Sequence, residues 1–222
     1  ENKKVPTCNN ITEESFLKNK DVQKAISLAP TDIKESYQKQ AEQIEKIRIE
    51  WLNKASKEPA YDIFISFKDS DREHGIERTQ DSIDVQDLYT ALVQKGYNVF
   101  FSRVTLRGKI SEQYEPYIYG ALKTAKVMIV FGEKPEYFNA VWVKNEWSRF
   151  LAMMKKDRHK LLLPCYRDMD AYDLPDELSM FQSQDMGKIG FVQDLIRGIS
   201  KVLATKKELN SLVFFIIYNC YI

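Results

Sequence analysis

Apolar runs and amphipathic stretches alternate along the chain from Tyr61 onward. Five short apolar runs have the length and boundaries of strands, at residues 61–67, 97–103, 126–132, 160–166 and, more weakly, 182–186. Runs of this kind are typical of strands buried on both faces. Between them apolar residues recur at helical spacing, as at Val85, Leu88, Tyr89, Leu92 and Val93. The pattern predicts an α/β domain whose five-stranded parallel sheet carries helices on both faces.

The pattern changes before Pro59. Residues 31–57 are rich in charge and have no strand pattern, and a further helix is predicted near residues 21–28. Asp32 and Glu35 have the spacing of a capping box. Side chains spaced alternately four and three apart form a heptad seam with one polar position, at Ile33, Tyr37, Gln40, Ile44, Ile47 and Trp51. This seam predicts either a short coiled coil or a helix packed on its own domain, and both alternatives stay open.

These patterns divide the chain into three parts. We expect a helical extension over residues 1–58, an α/β domain over 59–205 and an apolar tail over 206–222. The apolar stretch in the tail has about half of the roughly 20 residues that a membrane span needs, and no signal peptide is visible at the amino terminus. We therefore expect a cytoplasmic protein that does not bind a membrane.

Composition narrows the classes of site. With 33 basic and 32 acidic residues the net charge is +1, which gives no general attraction for nucleic acid. The three cysteines are scattered without a CxxC pair, as in proteins of a reducing compartment. The two histidines, His74 and His159, are far apart in sequence. The chain therefore has few residues that could form a zinc site or a histidine-based triad, and we expect no metal or cofactor.

Trp142 and Glu146 are the pair that best fits a chemical role. The chain has no GxGxxG after the first strand and no GxxxxGK[ST], and Glu133 stands where a receiver domain has its aspartate. Trp142 and Glu146 share one helix face just beyond the third strand, where open α/β sheets bind ligands. A carboxylate beside an indole can hold a ribose and stabilise a developing positive charge.

Residues 61 to about 203 resemble a bacterial TIR (Toll/interleukin receptor homology) domain. The matching stretches are YDIFISFKDSD, GYNVFFSRVTLRGKISEQYEPYIYGAL, KVMIVFG and EYFNAVWVKNEWSRFL, and the resemblance covers about two thirds of the chain. It implies a flavodoxin-like TIR fold. In the NAD+-cleaving branch of that family a catalytic glutamate lies on the helix after the third strand, often as WxxxE. By resemblance, Glu146 is catalytic and Trp142 shapes the substrate pocket.

The resemblance implies that NAD+ is the substrate. Cleavage releases nicotinamide, and the other product is ADP-ribose or an isomer of cyclic ADP-ribose, in anti-phage defence or virulence. Nicotinamide is already a cationic leaving group, so no metal is required. TIR domains also associate with one another through the loop that corresponds to residues 104–113, which has Arg107, Gly108 and Lys109 near its tip.

Five further residues border the same crevice at the strand ends. They are Phe67, Lys68 and Asp69 after the first strand, and Ser102 and Arg103 after the second. Phe67 is a candidate to stack on a base or on the nicotinamide ring, and Lys68 or Arg103 to pair with a pyrophosphate. For each of them a purely structural role at the strand end stays open.

Two other functions remain open at this stage. A non-catalytic TIR scaffold would keep the fold and the association loop without needing Glu146. An enzyme similar to nucleoside deoxyribosyltransferases would use a carboxylate on a comparable scaffold as a covalent nucleophile. Release of nicotinamide from NAD+, or of free base from a deoxynucleoside, separates the three.

Overall fold

The computed structural model describes residues 13–69, 80–107 and 113–203. Two compact units are present: one combines residues 1–59 with 109–121, and the other combines residues 60–108 with 122–222. The predicted apolar tail lies outside the described residues. Within the described ranges, no helix is long and apolar enough to cross a membrane.

Two helices lie in the first unit. Helix α1 is Lys20–Leu28 and helix α2 is Thr31–Ala55, so the two predicted amino-terminal helices are confirmed. The predicted capping box of α2 is wrong. The helix begins at Thr31 with Pro30 as its N-cap and no side-chain cap bond, which leaves Asp32 inside the first turn. A negative charge there is stabilised by the helix dipole without any capping role.

The heptad seam of α2 has exposed apolar positions. The buried apolar residues of α2 are Ala41 and Ala55. On the seam, Ile33, Tyr37 and Ile47 are 36%, 44% and 44% exposed. These three apolar side chains are therefore accessible, and both alternatives for the seam stay open.

Glu45 is the charged residue on the buried side of α2. Its carboxylate accepts hydrogen bonds from Ser15 Oγ at 2.9 Å and from the Phe16 amide at 2.8 Å. Arg48 donates to both of its oxygens, at 2.9 and 2.8 Å. The Arg48 hydrogen bond is the main cause that lowers the pKa of Glu45, to about 2. This cluster ties residues 15–16 to α2, and nothing in the sequence pattern predicted it.

The second unit contains the predicted five-stranded parallel sheet. Its strands are β1 (Ile63–Phe67), β2 (Val99–Phe101), β3 (Val127–Gly132), β4 (Leu161–Tyr166) and β5 (Gln184–Asp185). Their order is β2-β1-β3-β4-β5, and each pair is parallel. The second strand is shorter than predicted, because Ser102 and Arg103 start a helix instead of extending it.

Helices connect the strands. They are α3 (Gln80–Gln94), α4 (Ser102–Thr105), α5 (Glu115–Thr124), α6 (Pro135–Phe138), α7 (Val141–Met154), a 3-10 turn (Ala171–Asp173), α8 (Asp176–Ser179) and α9 (residues 191–203). The predicted core face of α3 is buried at Val85, Leu88 and Leu92, but Val93 is 43% exposed. Val93 is the second-last residue of α3, which explains its exposure.

Each face of the sheet has its own core. On one face Phe67, Phe101 and Phe131 pack with residues of α3 and α9 in a single hydrophobic cluster. Because side chains alternate along a strand, the neighbouring residues point to the other face, where Phe64 stacks on Phe100. Helix α7 contacts both β1 and β3. Its residue Glu146 accepts a hydrogen bond from Ser66, whose side chain points away from the α3 face, and this places α7 on the face opposite α3.

The switch point of the sheet lies between β1 and β3. From β1 the chain first adds β2 on one side and then returns to add β3 on the other. At the carboxyl ends of these two strands Ser66 is in register with Val130, and Phe67 with Phe131. In open α/β sheets this is the crevice where ligands bind.

Candidate functional site

Glu146 lies on α7 beside the switch point. The residues of α7 that pack on the sheet are Val143, Trp147 and Phe150, which are 2%, 1% and 0% exposed. These three residues form the stripe of α7 that faces the core. Glu146 lies off the stripe and is half-buried. Its carboxylate is thus brought to the sheet without being enclosed in the core.

Ser66 in β1 holds one oxygen of this carboxylate. Its hydroxyl donates to Glu146 Oε2 at 2.5 Å. That distance is at the short end of the range for a hydroxyl donating to an ionised carboxylate. Ser66 is only 1% exposed. The bond therefore joins the helix that carries Glu146 to a central strand at the switch point.

A second hydrogen bond sets the rotation of α7. The Trp147 indole N–H donates to the Phe138 carbonyl oxygen at 2.8 Å. Phe138 in turn lies on the end of β3, where a Cβ on Gly132 would come within 2.8 Å of its ring. The glycine thus allows α6 to approach the strand, and α6 holds α7 through Trp147.

Trp142 lies one turn before Glu146, as the spacing predicted. Its side chain is 62% exposed, and the preceding Val141 is 71% exposed. Within the described part of the chain, the indole is therefore a surface group at the start of α7. It borders the site instead of enclosing it.

Lys68 follows the end of β1 and contacts an aromatic ring. Its Nζ lies 4.5 Å from the centre of the Tyr137 ring, in the geometry of a cation–π contact. Tyr137 belongs to α6 and is 6% exposed. Lys134 Nζ lies 5.7 Å from the same ring. Two cationic side chains are thus gathered around Tyr137.

Asp69 and Arg103 form an ion pair at 3.4 Å. Arg103 is mostly buried, with 22% of its side chain exposed, whereas that of Asp69 is 55% exposed. Ser102, the first residue of α4, is half-buried beside it. The predicted pyrophosphate-binding arginine thus has a carboxylate partner. In the predicted association loop Arg107 is exposed, and Gly108 and Lys109 lie outside the described residues.

Phe67 is a core residue. It is 8% exposed and packs at 5.4 Å on the ring of Phe101. Because Phe67 follows Ser66, its side chain points to the α3 face, away from Glu146. The sequence correctly placed Phe67 at the strand end but gave no information on which face its ring occupies. Too little of the ring is accessible for the expected stacking on a base.

An acidic cluster lies at the strand ends on the α3 side. Arg167 forms ion pairs with Asp84 and, at 3.2 Å, with Glu133. Asp81 is fully buried, and neither of its oxygens meets hydrogen-bond geometry with a donor. Burial raises the pKa of Asp81 to about 7, and the carboxylates of Glu133 and Asp84 add to the shift. The Glu133 amide and Arg167 act in the opposite direction.

A shallow cavity of about 230 Å³ adjoins this cluster. Its walls include the aromatic rings of Phe131 and Phe191 and the charged side chains of Asp84, Arg167 and Lys188. The two phenylalanines belong to the core between the sheet and α3 and α9. The cavity is therefore on the face opposite Glu146. None of these residues had been predicted as part of a site.

Ser66 is the residue of the Glu146 site that the sequence analysis missed. In retrospect it carried a signal, since it is the sole polar residue in the buried strand IFISF. A hydroxyl in such a strand needs a hydrogen-bond partner. Which residue supplies that partner depends on the tertiary packing of α7, which the pattern of residues does not give.

Comparison with known proteins identifies the family of this chain. The TIR domain family matches residues 63–195, which is more than half of the chain. No curated protein sequence matches.

Solved structures that are similar to part of this chain include three that contain TIR domains. The TIR domains of the activated Roq1 resistosome, which directly recognises the pathogen effector XopQ, are 16% identical with a TM-score of 0.47, over 63% of this chain and 99% of that one. A TIR-STING receptor from C. gigas in complex with 2',3'-cGAMP is 18% identical with a TM-score of 0.46, over 63% and 39%. The TIR domain of the Toll-related receptor TRR-2 from Hydra magnipapillata is 19% identical with a TM-score of 0.45, over 63% and 98%.

The topology of the sheet and the family match thus lead to one conclusion: this chain belongs to the TIR domain family.

Proposed function

We propose that this protein cleaves the N-glycosidic bond of NAD+ with Glu146 as the catalytic residue. The observation that carries the proposal is the half-buried carboxylate of Glu146 at the switch point, held by Ser66. Family membership adds to it, since a glutamate one helical turn after a tryptophan is the pattern of the NAD+-cleaving branch that this chain resembles.

The reaction needs little from the protein beyond charge and position. The electron pair of the bond between the ribose and the nicotinamide nitrogen leaves with the nicotinamide and neutralises its positive charge. The ribose becomes oxocarbenium-like, and the Glu146 carboxylate stabilises that charge and binds the ribose hydroxyls. Attack by water then gives ADP-ribose and one proton, whereas attack by an internal hydroxyl or adenine nitrogen gives an isomer of cyclic ADP-ribose and one proton.

The charged residues at the strand ends support binding of the rest of the substrate. Lys68 lies two residues beyond Ser66 and presents its ammonium group on the Tyr137 ring. Arg103 is the second cation, and it would exchange its bond with Asp69 for one with a pyrophosphate oxygen. Trp142 supplies an exposed indole on the same helix as Glu146.

Nicotinamide release from NAD+, followed by liquid chromatography, tests the proposal. We expect the wild-type protein to release nicotinamide and Glu146→Gln to lose about 10²- to 10³-fold in rate, which is the usual effect of removing one electrostatic stabiliser. The matched control is Glu136→Gln, which changes an exposed carboxylate on the neighbouring α6. It should retain wild-type activity.

Three results would count against the proposal. Wild-type protein without activity at high concentration favours the scaffold alternative. Release of free base from a deoxynucleoside, with no nicotinamide from NAD+, favours the deoxyribosyltransferase alternative. A Glu146→Gln variant as active as wild type removes Glu146 from the mechanism.

In the cell we propose that the activity consumes NAD+ or makes a signalling nucleotide, in anti-phage defence or virulence. Expression of the wild-type chain in bacteria should lower cellular NAD+, and expression of Glu146→Gln should not. Equal NAD+ levels in the two cultures, at equal protein levels, would contradict this role.

A further inference from the structure

Ser66 has the properties of a group that prepares Glu146 for its task. It lies in β1, which is paired on one side with β2 and on the other with β3. A strand held from both sides is among the most rigid elements of a sheet protein. The Ser66 hydroxyl is therefore a fixed donor, whereas Glu146 reaches the site through a side chain with three rotatable bonds.

The environment of Ser66 explains why its hydroxyl is committed to Glu146. Ser66 is 1% exposed, and its register neighbour on β3 is the apolar Val130. A hydroxyl buried in apolar surroundings is costly unless it forms a hydrogen bond. An ionised carboxylate can only accept hydrogen bonds. The 2.5 Å contact therefore runs from the Ser66 hydroxyl to Glu146 Oε2.

We propose that Ser66 is a positioning residue for Glu146, whose buried hydroxyl holds one carboxylate oxygen at the switch point and keeps the carboxylate ionised. This inference rests on the proposed function for its catalytic consequence. Its physical basis, the coupling between the two side chains, is independent of the substrate.

Two effects follow from this bond. Fixing one oxygen restricts rotation of the carboxylate, so its charge is aimed before the substrate binds, and such preorganisation acts mainly on the chemical step. A hydrogen bond to the charged form also favours that form over the protonated acid. Loss of the hydroxyl should therefore lower kcat and move the acidic limb of the pH–rate profile to higher pH.

The test compares three substitutions. Ser66→Ala removes the hydroxyl and should lower kcat by about 10- to 100-fold while KM changes less than about twofold. Ser66→Thr keeps a hydroxyl and should recover most of kcat. The matched control is Ser82→Ala, because Ser82 is also buried, at 2% exposure, but its hydroxyl has no hydrogen-bond partner. It should leave kcat and the pH profile unchanged.

A second measurement keeps the inference separate from the proposed function. Carbon-13 NMR of glutamate-labelled protein, with the Glu146 signal assigned by Glu146→Gln, follows protonation of this carboxylate without any substrate. We expect Ser66→Ala to move the titration midpoint upward relative to both wild type and Ser82→Ala. An unchanged midpoint overturns the inference, and so does an unchanged kcat in a protein that cleaves NAD+. A shifted midpoint in a protein that does not cleave NAD+ supports Ser66 as the positioning residue of Glu146 and rejects the proposed function.

Discussion

The Trp147 indole donates its N–H to the Phe138 carbonyl oxygen, and this bond joins the helix that carries Glu146 to the short helix on the end of β3. Trp147 is 1% exposed and Phe138 is fully buried. The bond thus sets the rotation of α7 about its axis. Since Glu146 precedes Trp147 by one residue, the direction of the carboxylate depends on this contact.

The first prediction concerns the two tryptophans of α7. Trp147→Phe keeps an aromatic ring but leaves the Phe138 carbonyl without its donor, and we expect it to lower the free energy of unfolding by about 1–3 kcal/mol. Trp142→Phe changes a residue that is 62% exposed, and we expect a change within about 0.5 kcal/mol. Urea denaturation measures both. Equal losses from the two substitutions would show that the buried hydrogen bond is unimportant.

The second prediction concerns Gly132. A Cβ there would lie 2.8 Å from the Phe138 ring, so Gly132→Ala should cost about 1–3 kcal/mol by overpacking. Combining it with Phe138→Leu should cost less than the sum of the two single changes. Gly198→Ala is the control, because a Cβ at this exposed position in α9 meets nothing within 4 Å. It should stabilise the protein by about 0.5–1 kcal/mol. An additive double variant would contradict the proposed clash.

The third prediction is a dependence of stability on pH that comes from Asp81. Its ordinary pKa of 3.8 is raised to about 7 in the folded protein by burial. Between these values the unfolded chain has lost a proton that the folded protein retains, so the free energy of unfolding falls as pH rises from about 4 to about 7. The total fall is on the order of 4 kcal/mol, since one pKa unit is about 1.4 kcal/mol.

Asp81→Asn removes this titration. Its stability relative to wild type should increase from pH 4 to pH 7 and remain constant above pH 8, as measured by thermal or urea unfolding at each pH. Asp87→Asn, on the exposed side of the same helix, should differ from wild type by less than about 0.5 kcal/mol throughout. A constant difference between Asp81→Asn and wild type over this range would show that Asp81 is ionised when buried.

The fourth prediction concerns self-association through the heptad seam of α2. Ile47 on the seam and Ile49 off the seam are almost equally exposed, at 44% and 46%. If a second copy covers the seam, Ile47→Glu should lower the oligomeric mass in light scattering and reduce activity at low protein concentration, with recovery under crowding. Ile49→Glu should do neither. A monomeric wild type with a rate strictly proportional to enzyme concentration would contradict association by this route.

Much of the fold followed from the sequence because its signals are local. The apolar run at residues 126–132 predicted β3 to within one residue, since a strand buried on both faces has an unbroken apolar sequence. The capping box of α2 failed because Pro30 ended the extended segment before Asp32. Contacts between residues that are distant in sequence could not be predicted. The Ser66–Glu146 bond joins residues 80 positions apart, and the acidic cluster depends on three separate strand and helix ends.

Glu146 and Trp142 are only one helical turn apart, but the structural elements that hold their side chains differ in stability. The Glu146 side chain is bonded to Ser66 of β1, a strand with hydrogen-bonded neighbours on both sides, so the amides of β1 should be among the slowest to exchange with deuterium. Trp142 lies in the first turn of α7, where the N-cap residue Ala140 forms no side-chain cap bond. That turn can fray without breaking the hydrogen bond between Ser66 and Glu146. Deuterium exchange should thus be slow in the strand that holds the carboxylate of Glu146 and fast in the helical turn that carries the indole of Trp142.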